Sequence, residues 1–424
     1  MSPAVRLCAG LMSGTSVDAV DGALVEFPIE PRVDHRADLR SGFPADPPPV
    51  PGAAARTAPR TLAFCSRPIP PALREQLQSL QQPGPDELSR AALAANALAA
   101  LYAEVSADLL AAAGVGRAAV AAIGAHGQTV RHRPDLGYTI QLLNPARLAE
   151  LAGIPVVADL RSADVAAGGQ GAPLAPGFHA TVFAHPTLRR AVVNLGGIAN
   201  VSLLEAGAAR PDGDLEGRAD DNREARPVVG FDTGPANTLL DLWCERHTGQ
   251  PYDRDGAWAA GGRVLPPLLA CLLDEPYFRA PPPKSTGRDL FEAGWLARKL
   301  AQSGTTSADP RDIQATLAEL TAVTVAEPCL AFGAREIRVC GGGARNADLM
   351  ARLAARMPGV PVSDTGGLGI DPQAVEATAF AWLAHRHLAG LAGNLPSVTG
   401  ASGPRVLGAL WPAGAAASGT ERVR

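Results

Sequence analysis

Lysine is nearly missing from this chain: Lys284 and Lys299 are the only two, so arginine carries almost all the positive charge. Together with abundant alanine, glycine and proline, this skew reads as a coding bias rather than a functional signal. Basic charge is also not in excess. The net charge is −4, so no basic face is offered to nucleic acid or to an anionic membrane. Cys8, Cys65, Cys244, Cys271, Cys329 and Cys340 form no Cys-x-x-Cys pair. That excludes zinc-type spacing and leaves small buried residues of a reducing compartment. No unbroken apolar run approaches the roughly 18 residues needed to cross a membrane. The first apolar run breaks at a Ser-Gly-Thr turn, unlike a signal peptide. A cytoplasmic location is the expectation.

With 424 residues the chain exceeds one typical hydrophobic core, so two lobes are expected. The chain is organised around its first stretch, Ala9 to Phe27. Two apolar runs flank Ser13-Gly14-Thr15-Ser16, and Asp18 and Asp21 stand at the start of the returning strand. Small residues let the backbone approach a ligand, and N–H groups and hydroxyls in such a turn can cradle phosphate oxygens. A carboxylate just behind the turn can hold a hydrated Mg²⁺. An ordinary Gly-Ser hairpin reads equally well from this stretch alone.

Similar turns recur downstream. Arg190 to Leu204 is a second strand–turn–strand with Gly196-Gly197 at its apex. Val228 to Asn237 is expected to put Asp232 where a strand ends and a helix from Thr238 begins, near helix N–H groups that suit developing charge. Ile337 to Cys340, Gly341-Gly342-Gly343 and Ala347 to Met357 read as strand, bare turn and helix, a shape that takes the adenosine end of a nucleotide. Between these, Leu73–Leu80 and Glu87–Ala113 are predicted helices, the second capped by Asp86. A strand over 119–124 empties into His126-Gly127-Gln128-Thr129, polar residues where open α/β sheets bind ligands. Strands are predicted over 138–143 and 154–158, and residues 160–174 read as a Gly-rich loop that contacts a ligand or approaches backbone closely. Asp312–Phe332 is read as an amphipathic helix, Asp371–Leu391 as the last helix, and residues 400–424 as a loop-like tail. Lys284 or Arg288 can reach an anion from the loop at 281–288. Residues 28–60 and 205–226 read as surface insertions.

The order of these elements resembles the superfamily of actin, heat-shock 70 ATPases and sugar kinases. The resemblance implies an α/β, two-lobed actin-like ATPase (sugar kinase) fold with an ATP cleft between lobes. A nearer resemblance rests on seven ordered motifs: Gly10–Asp18, His126–His132, Ala166–Leu174, Asn194–Asn200, Gly230–Asn237, Pro283–Arg288 and Cys340–Asn346. Together they resemble the anhydro-N-acetylmuramic acid kinases of bacterial cell-wall recycling. Thr233, Ala236 and Ala19 stand where other members can carry different small residues, which touches only turn geometry.

The resemblance implies one lobe over 1–188, completed by 376–424, and a second over 189–375. It implies ATP and Mg²⁺, with hydrolytic opening of 1,6-anhydro-N-acetylmuramic acid and phosphorylation of O6. Asp232 is then the base, with an ordinary low pKa. Gly14, Thr15, Ser16, Val17, Asp18 and Asp21 wrap the ATP phosphates. Asn194, Gly196 and Gly197 form the second phosphate turn, and Gly341, Gly342, Gly343 and Asn346 flank adenosine. His126, Gln128, Arg131, Asn144, Asp159 and Glu376 line the sugar pocket. No direct metal ligand is implied: Mg²⁺ rides on phosphates and water, with Asp18 the nearest candidate. Partners are the sugar and ATP, without nucleic acid or membrane, and a homodimer is left open. A kinase for another sugar, an actin- or chaperone-type ATPase and a phosphate-ester hydrolase are the alternatives on the same scaffold. Closure of the lobes around both substrates is expected.

Overall fold

The computed structural model describes residues 5–14, 17–28, 59–207, 228–282, 284–287 and 290–414. Most of the two inferred insertions, together with Thr15, Ser16, Pro283 and Arg288, lies outside the described residues.

The strands are β1 (Val5–Ser13), β2 (Ala19–Pro28), β3 (Arg60–Pro68), β4 (Val120–Ala125), β5 (Gln128–Arg133), β6 (Tyr138–Leu142), β7 (Val156–Ala158), β8 (Arg190–Leu195), β9 (Ile198–Leu204), β10 (Val228–Pro235), β11 (Glu336–Cys340), β12 (Val362–Asp364) and β13 (Ala409–Trp411). Among the described residues, β5 and β6 form a separate antiparallel pair, and the other strands make two sheets. The first has the order β13-β7-β4-β1-β2-β3 and the second β10-β9-β8-β11-β12. In each, three consecutive strands form an antiparallel meander, and two later strands add parallel on the outer side of the first. β1, β2, β3, β4 and β7 thus correspond one to one with β8, β9, β10, β11 and β12. One topology is used twice, and the two hairpin turns occupy equivalent places in it.

Glycine decides how the last long helix meets the first sheet. Gly10 on β1 and Gly124 on β4 are register partners. A Cβ at Gly10 would lie 1.9 Å from the Ala377 carbonyl oxygen, and one at Gly124 would lie 2.0 Å from that of Phe380. Only this bare pair lets helix Val375–Ala389 lie directly on the strands. Its apolar face, with Ala377, Phe380, Ala381 and Ala384, enters a core shared with Cys8, Val25 and Ala122 of the first sheet and Val192, Leu204 and Cys340 of the second.

The sequence expectations differ from the structure at definite places. β3 lies in a region not assigned as strand. The tail is not all loop, because β13 pairs antiparallel with β7. The 160–174 segment contains the short helix Ser162–Ala166. Helix Glu87–Ala113 has the expected bounds, but Asp86 adopts a left-handed conformation (φ 49°) and makes no side-chain cap. Helix Pro310–Phe332 is buried on nearly every face rather than amphipathic, because it packs in the middle of the second core. These two helices are long and apolar enough to cross a membrane by length and composition, and 72% of the most apolar window of Pro310–Phe332 is buried inside the fold. The cysteines are free, with Cys8, Cys244, Cys329 and Cys340 buried.

Candidate functional site

Glu376, at the start of helix Val375–Ala389, is approached from both sheets, by Asn194 of β8 and by the charge of Asp21 on β2. Asn194, near the end of β8, donates through Nδ2 to Glu376 Oε1 at 3.3 Å. Burial, aided by the neighbouring Asp21 charge, pushes the Glu376 carboxyl up to about 6, while Arg161 and the Asn194 bond oppose the rise. Burial also raises the Asp21 carboxyl on β2, opposed by a hydrogen bond from Ser66 on β3. Two acidic groups and an amide thus meet with their charge poorly compensated, an arrangement typical of functional sites.

The second turn is latched from behind. Asn237 Nδ2 donates to the carbonyls of Leu195 and Gly196, both at 2.9 Å. The N–H groups of Ala236 and Thr238 reach Gly197 O, and that of Asn237 reaches Gly196 O. The turn carbonyls are therefore spent on the start of helix Asn237–Thr248. Asn194 Oδ1 and Thr238 Oγ1 are buried without a hydrogen-bond partner. Gly341, at φ 81°, packs so closely that a Cβ there would sit 2.3 Å from Asn194 Oδ1. Gly342 is open on that side, with nothing nearer than 3.8 Å. Asn346 caps helix Ala347–Arg356 by accepting from Leu349 N–H at 2.9 Å.

Beyond the first sheet, His126 follows β4 directly and Gln128 opens β5. Gln128 is fully buried; its Nε2 donates to Gly14 O at 3.2 Å, and its Oε1 has no partner. Arg161, which no sequence motif singles out, donates to His126 Nε2 from Nε at 3.2 Å and from Nη2 at 3.0 Å. His126 must then carry its proton on Nδ1, facing Ser13 O at 3.3 Å. Burial, and after it the Arg161 charge, lowers the imidazole to about 3, so it stays neutral. Burial likewise lowers Arg161 to about 10, against the attraction of Glu376 and Asp164. Val17 is buried at φ 57°, and Asp18 is largely exposed beside Arg74 at 3.6 Å. Asp159 is exposed at the end of β7 with φ 57°.

Two expected sugar contacts are engaged elsewhere. Arg131 pairs with Glu87 at 2.7 Å and donates to Leu80 O. Asn144 caps helix Pro145–Ala152 through Arg147 N–H at 3.0 Å and donates to Asn96 Oδ1 at 2.7 Å. The Gly-rich loop after Arg161 is tied down by the buried Asp164, which accepts from Gly171 N–H, Asn394 Nδ2 and Thr399 Oγ1, all at 2.7 Å. Close backbone approach explains its glycines: a Cβ at Gly169 would fall 2.2 Å from Asp164 Oδ2.

Asp232 lies within β10, not at its end. The ladder shifts register between Asp232, opposite Asn200, and Gly234, opposite Ala199. This bulge turns the strand locally, as bulges beside active sites do, and Gly234 takes φ 150°. Asp232 Oδ2 accepts from Thr286 N–H at 3.0 Å. Burial pushes the carboxyl up to about 6 against that bond, so the expected ordinary low pKa is corrected upward. Lys284 does not reach out to an anion: Nζ donates to Tyr277 O and Phe278 O, each at 3.1 Å, and lies 4.8 Å from the Tyr277 ring centroid.

A repeated five-strand topology, with a hairpin turn at the equivalent place in each half and a carboxylate on the third strand of the second half, defines a two-lobed, actin-like fold of the sugar-kinase type. A family model described as anhydro-N-acetylmuramic acid kinase matches residues 54–413, and the chain belongs to that family. The Bordetella petrii anhydro-N-acetylmuramic acid kinase is 52% identical over 411 residues, covering 96% of this chain and 97% of that protein. The protein of that name from Variovorax paradoxus is 50% identical over 414 residues, covering 96% and 99%. Among solved structures, the activator of the 2-hydroxyisocaproyl-CoA dehydratase from Clostridium difficile is similar with 13% identity and a TM-score of 0.40, covering 89% of this chain and 93% of that one.

Proposed function

We propose that this chain is an ATP-dependent kinase that adds water at C1 of 1,6-anhydro-N-acetylmuramic acid, breaks the C1–O6 bridge and transfers the γ-phosphoryl group of ATP to O6. The products are N-acetylmuramic acid 6-phosphate and ADP, and the cellular setting is recycling of the peptidoglycan wall. The observation that carries the reading is Asp232: a half-buried carboxylate on a bulge, with Oδ2 committed to Thr286 and no described donor on Oδ1. It takes the proton of the attacking water as C1 gains oxocarbenium-like character. Its raised pKa brings it closer to the working pH, where a general base is most effective. Phosphoryl transfer itself rests on positioning and charge neutralisation.

ATP fits the bare backbone at Gly196, Gly197 and Gly341–Gly343, and the unpartnered Asn194 Oδ1 and Thr238 Oγ1 supply polar contacts. Gly14, Val17 and Asp18, with Thr15 and Ser16, form the first phosphate turn; Asn346 acts by ordering the helix after the adenosine turn. Mg²⁺ is held mainly by phosphates and water in this reading. Asp21 is the carboxylate whose chemistry fits that hydrated ion, since a cation would relieve its repulsion with Glu376; Asp18 is the alternative. His126, Gln128, Glu376 and Asp159 line the sugar side, with Arg161 as the cation nearest them. Arg131 and Asn144 support that wall from behind. The lobes divide as 1–188 with 376–424 and as 189–375, a division favoured by β13 joining the first sheet. The same reading places the chain in the cytoplasm, with small molecules as its partners.

The test is incubation with ATP, Mg²⁺ and the anhydro sugar, read by mass. A product heavier by one water and one phosphoryl group, absent with Asp232→Asn, supports the reading. Phosphorylation of the open sugar alone, or ATP loss without a sugar product, overturns it.

A further inference from the structure

β10 is the edge strand of the second sheet. An edge leaves N–H and C=O groups without a ladder partner, and a bulge loosens the pairing further. Asp232 sits at both. Its main chain is nevertheless fully held, by groups from outside the sheet. Asp232 N–H donates to Lys284 O at 3.2 Å, and the Tyr277 hydroxyl donates to Asp232 O at 2.7 Å. With the Thr286 N–H on Oδ2, the residue is gripped at three points.

We propose that Tyr277 is a positioning residue for Asp232: with the loop at 284–287 it fixes the bulge, so that Oδ2 is committed to Thr286 N–H and Oδ1 is left to take the proton. The clamp closes on itself. Lys284 Nζ donates to the carbonyls of Tyr277 and Phe278 and lies beside the Tyr277 ring. Tyr277 meets the buried Phe291 edge-on at 5.8 Å and 84°. Burial and the Asp232 charge both raise the Tyr277 hydroxyl, which keeps it a hydrogen-bond donor. The loop thus serves the base through two main-chain groups, and Tyr277 adds one phenol; among the described residues no cationic side chain bonds to Asp232. The inference rests on the reading of Asp232 as the base.

Tyr277→Phe removes one hydroxyl and keeps the ring. It is expected to lower kcat with the anhydro sugar on the order of 100-fold, the effect of a misplaced catalytic group, while KM for ATP stays within about twofold. Thr286→Pro removes the N–H on Oδ2; Thr286→Ala keeps it. The acid limb of the kcat/KM profile is expected to rise by about one pH unit in Thr286→Pro and to stay in place in Thr286→Ala. A kcat for Tyr277→Phe close to that of the unaltered protein overturns the proposal, as does a common acid limb for both Thr286 variants. If Thr286→Pro does not fold, Tyr277→Phe decides alone. If the unaltered protein turns over no anhydro sugar, the functional reading has failed instead. The clamp is then read without substrate, by the ¹³Cγ titration of Asp232 in the two Thr286 variants, where a common titration point overturns it.

Discussion

Asn194 donates to Glu376 across 182 residues of sequence, from the end of a strand in the second sheet to a helix resting on the first. The acceptor is a carboxylate whose proton is already held up to about 6. Asn194→Asp replaces the donor with a second negative charge. The Glu376 carboxyl is expected to rise further and ATP affinity to fall at least about tenfold, as for a charged hydrogen bond replaced by repulsion. Titration calorimetry with a non-hydrolysable ATP analogue at pH 5.5 and pH 8 checks this. The loss should be smaller at the lower pH, where one of the two carboxyls is protonated.

Asp232→Asn separates function from stability. Loss of a general base is expected to lower kcat on the order of 100- to 10,000-fold. The folded chain holds the Asp232 proton up to about 6, against 3.8 in the unfolded chain. Between those values the folded state binds more protons, so stability falls as pH rises through that window. The charged carboxylate is therefore a burden at neutral pH, and Asp232→Asn should raise stability there by roughly 1–3 kcal/mol. Thermal melts at pH 5 and pH 7.5 check the sign: the gain should be larger at pH 7.5. In the unaltered protein kcat/KM is expected to drop tenfold per unit below about pH 6.

Arg131 and Arg161 should behave differently. Arg131 is occupied by Glu87 in a partly exposed pair, a kind of contact worth about 0–1 kcal/mol. Arg131→Ala is expected to change KM for the sugar by less than about threefold. Arg161→Met strands His126 Nε2 in a buried site and should lower kcat/KM on the order of 100-fold. Steady-state kinetics in both substrates separates the two; equal effects would contradict this division of roles.

Gly10→Ala and Gly124→Ala should each cost at least about 3 kcal/mol, or prevent soluble expression, because backbone atoms rather than flexible side chains oppose the new methyl. Gly22, whose neighbours are the Val105 and Leu109 side chains, should tolerate alanine better. Chemical denaturation of the three variants provides the comparison.

Much of this was legible in the chain. The hairpin turns, Asp232 and the triple glycine are local signals, written in consecutive small residues. β3 was not legible, because its alternation is weak and it follows a Pro-rich stretch that reads as insertion. β12 and β13 span three residues each and exist only through their neighbours. The roles of Arg161, Tyr277 and Asn237 are not legible in the sequence for a shared reason, even though Asn237 stands inside a quoted motif: each acts on a main-chain group or ring nitrogen of a residue at least 35 positions away. Arg131 and Asn144 looked available because nothing in sequence announces a partner such as Glu87 or Asn96.

The glycine notch under helix Val375–Ala389 makes that helix a part of the first sheet. Glu376, one residue before the first backbone contact at Ala377, is thereby surveyed from β1 and β4, whereas Asn194 is surveyed from β8. Their 3.3 Å contact works as a gauge between two frames of reference. A rotation of one sheet against the other changes the length of this bond.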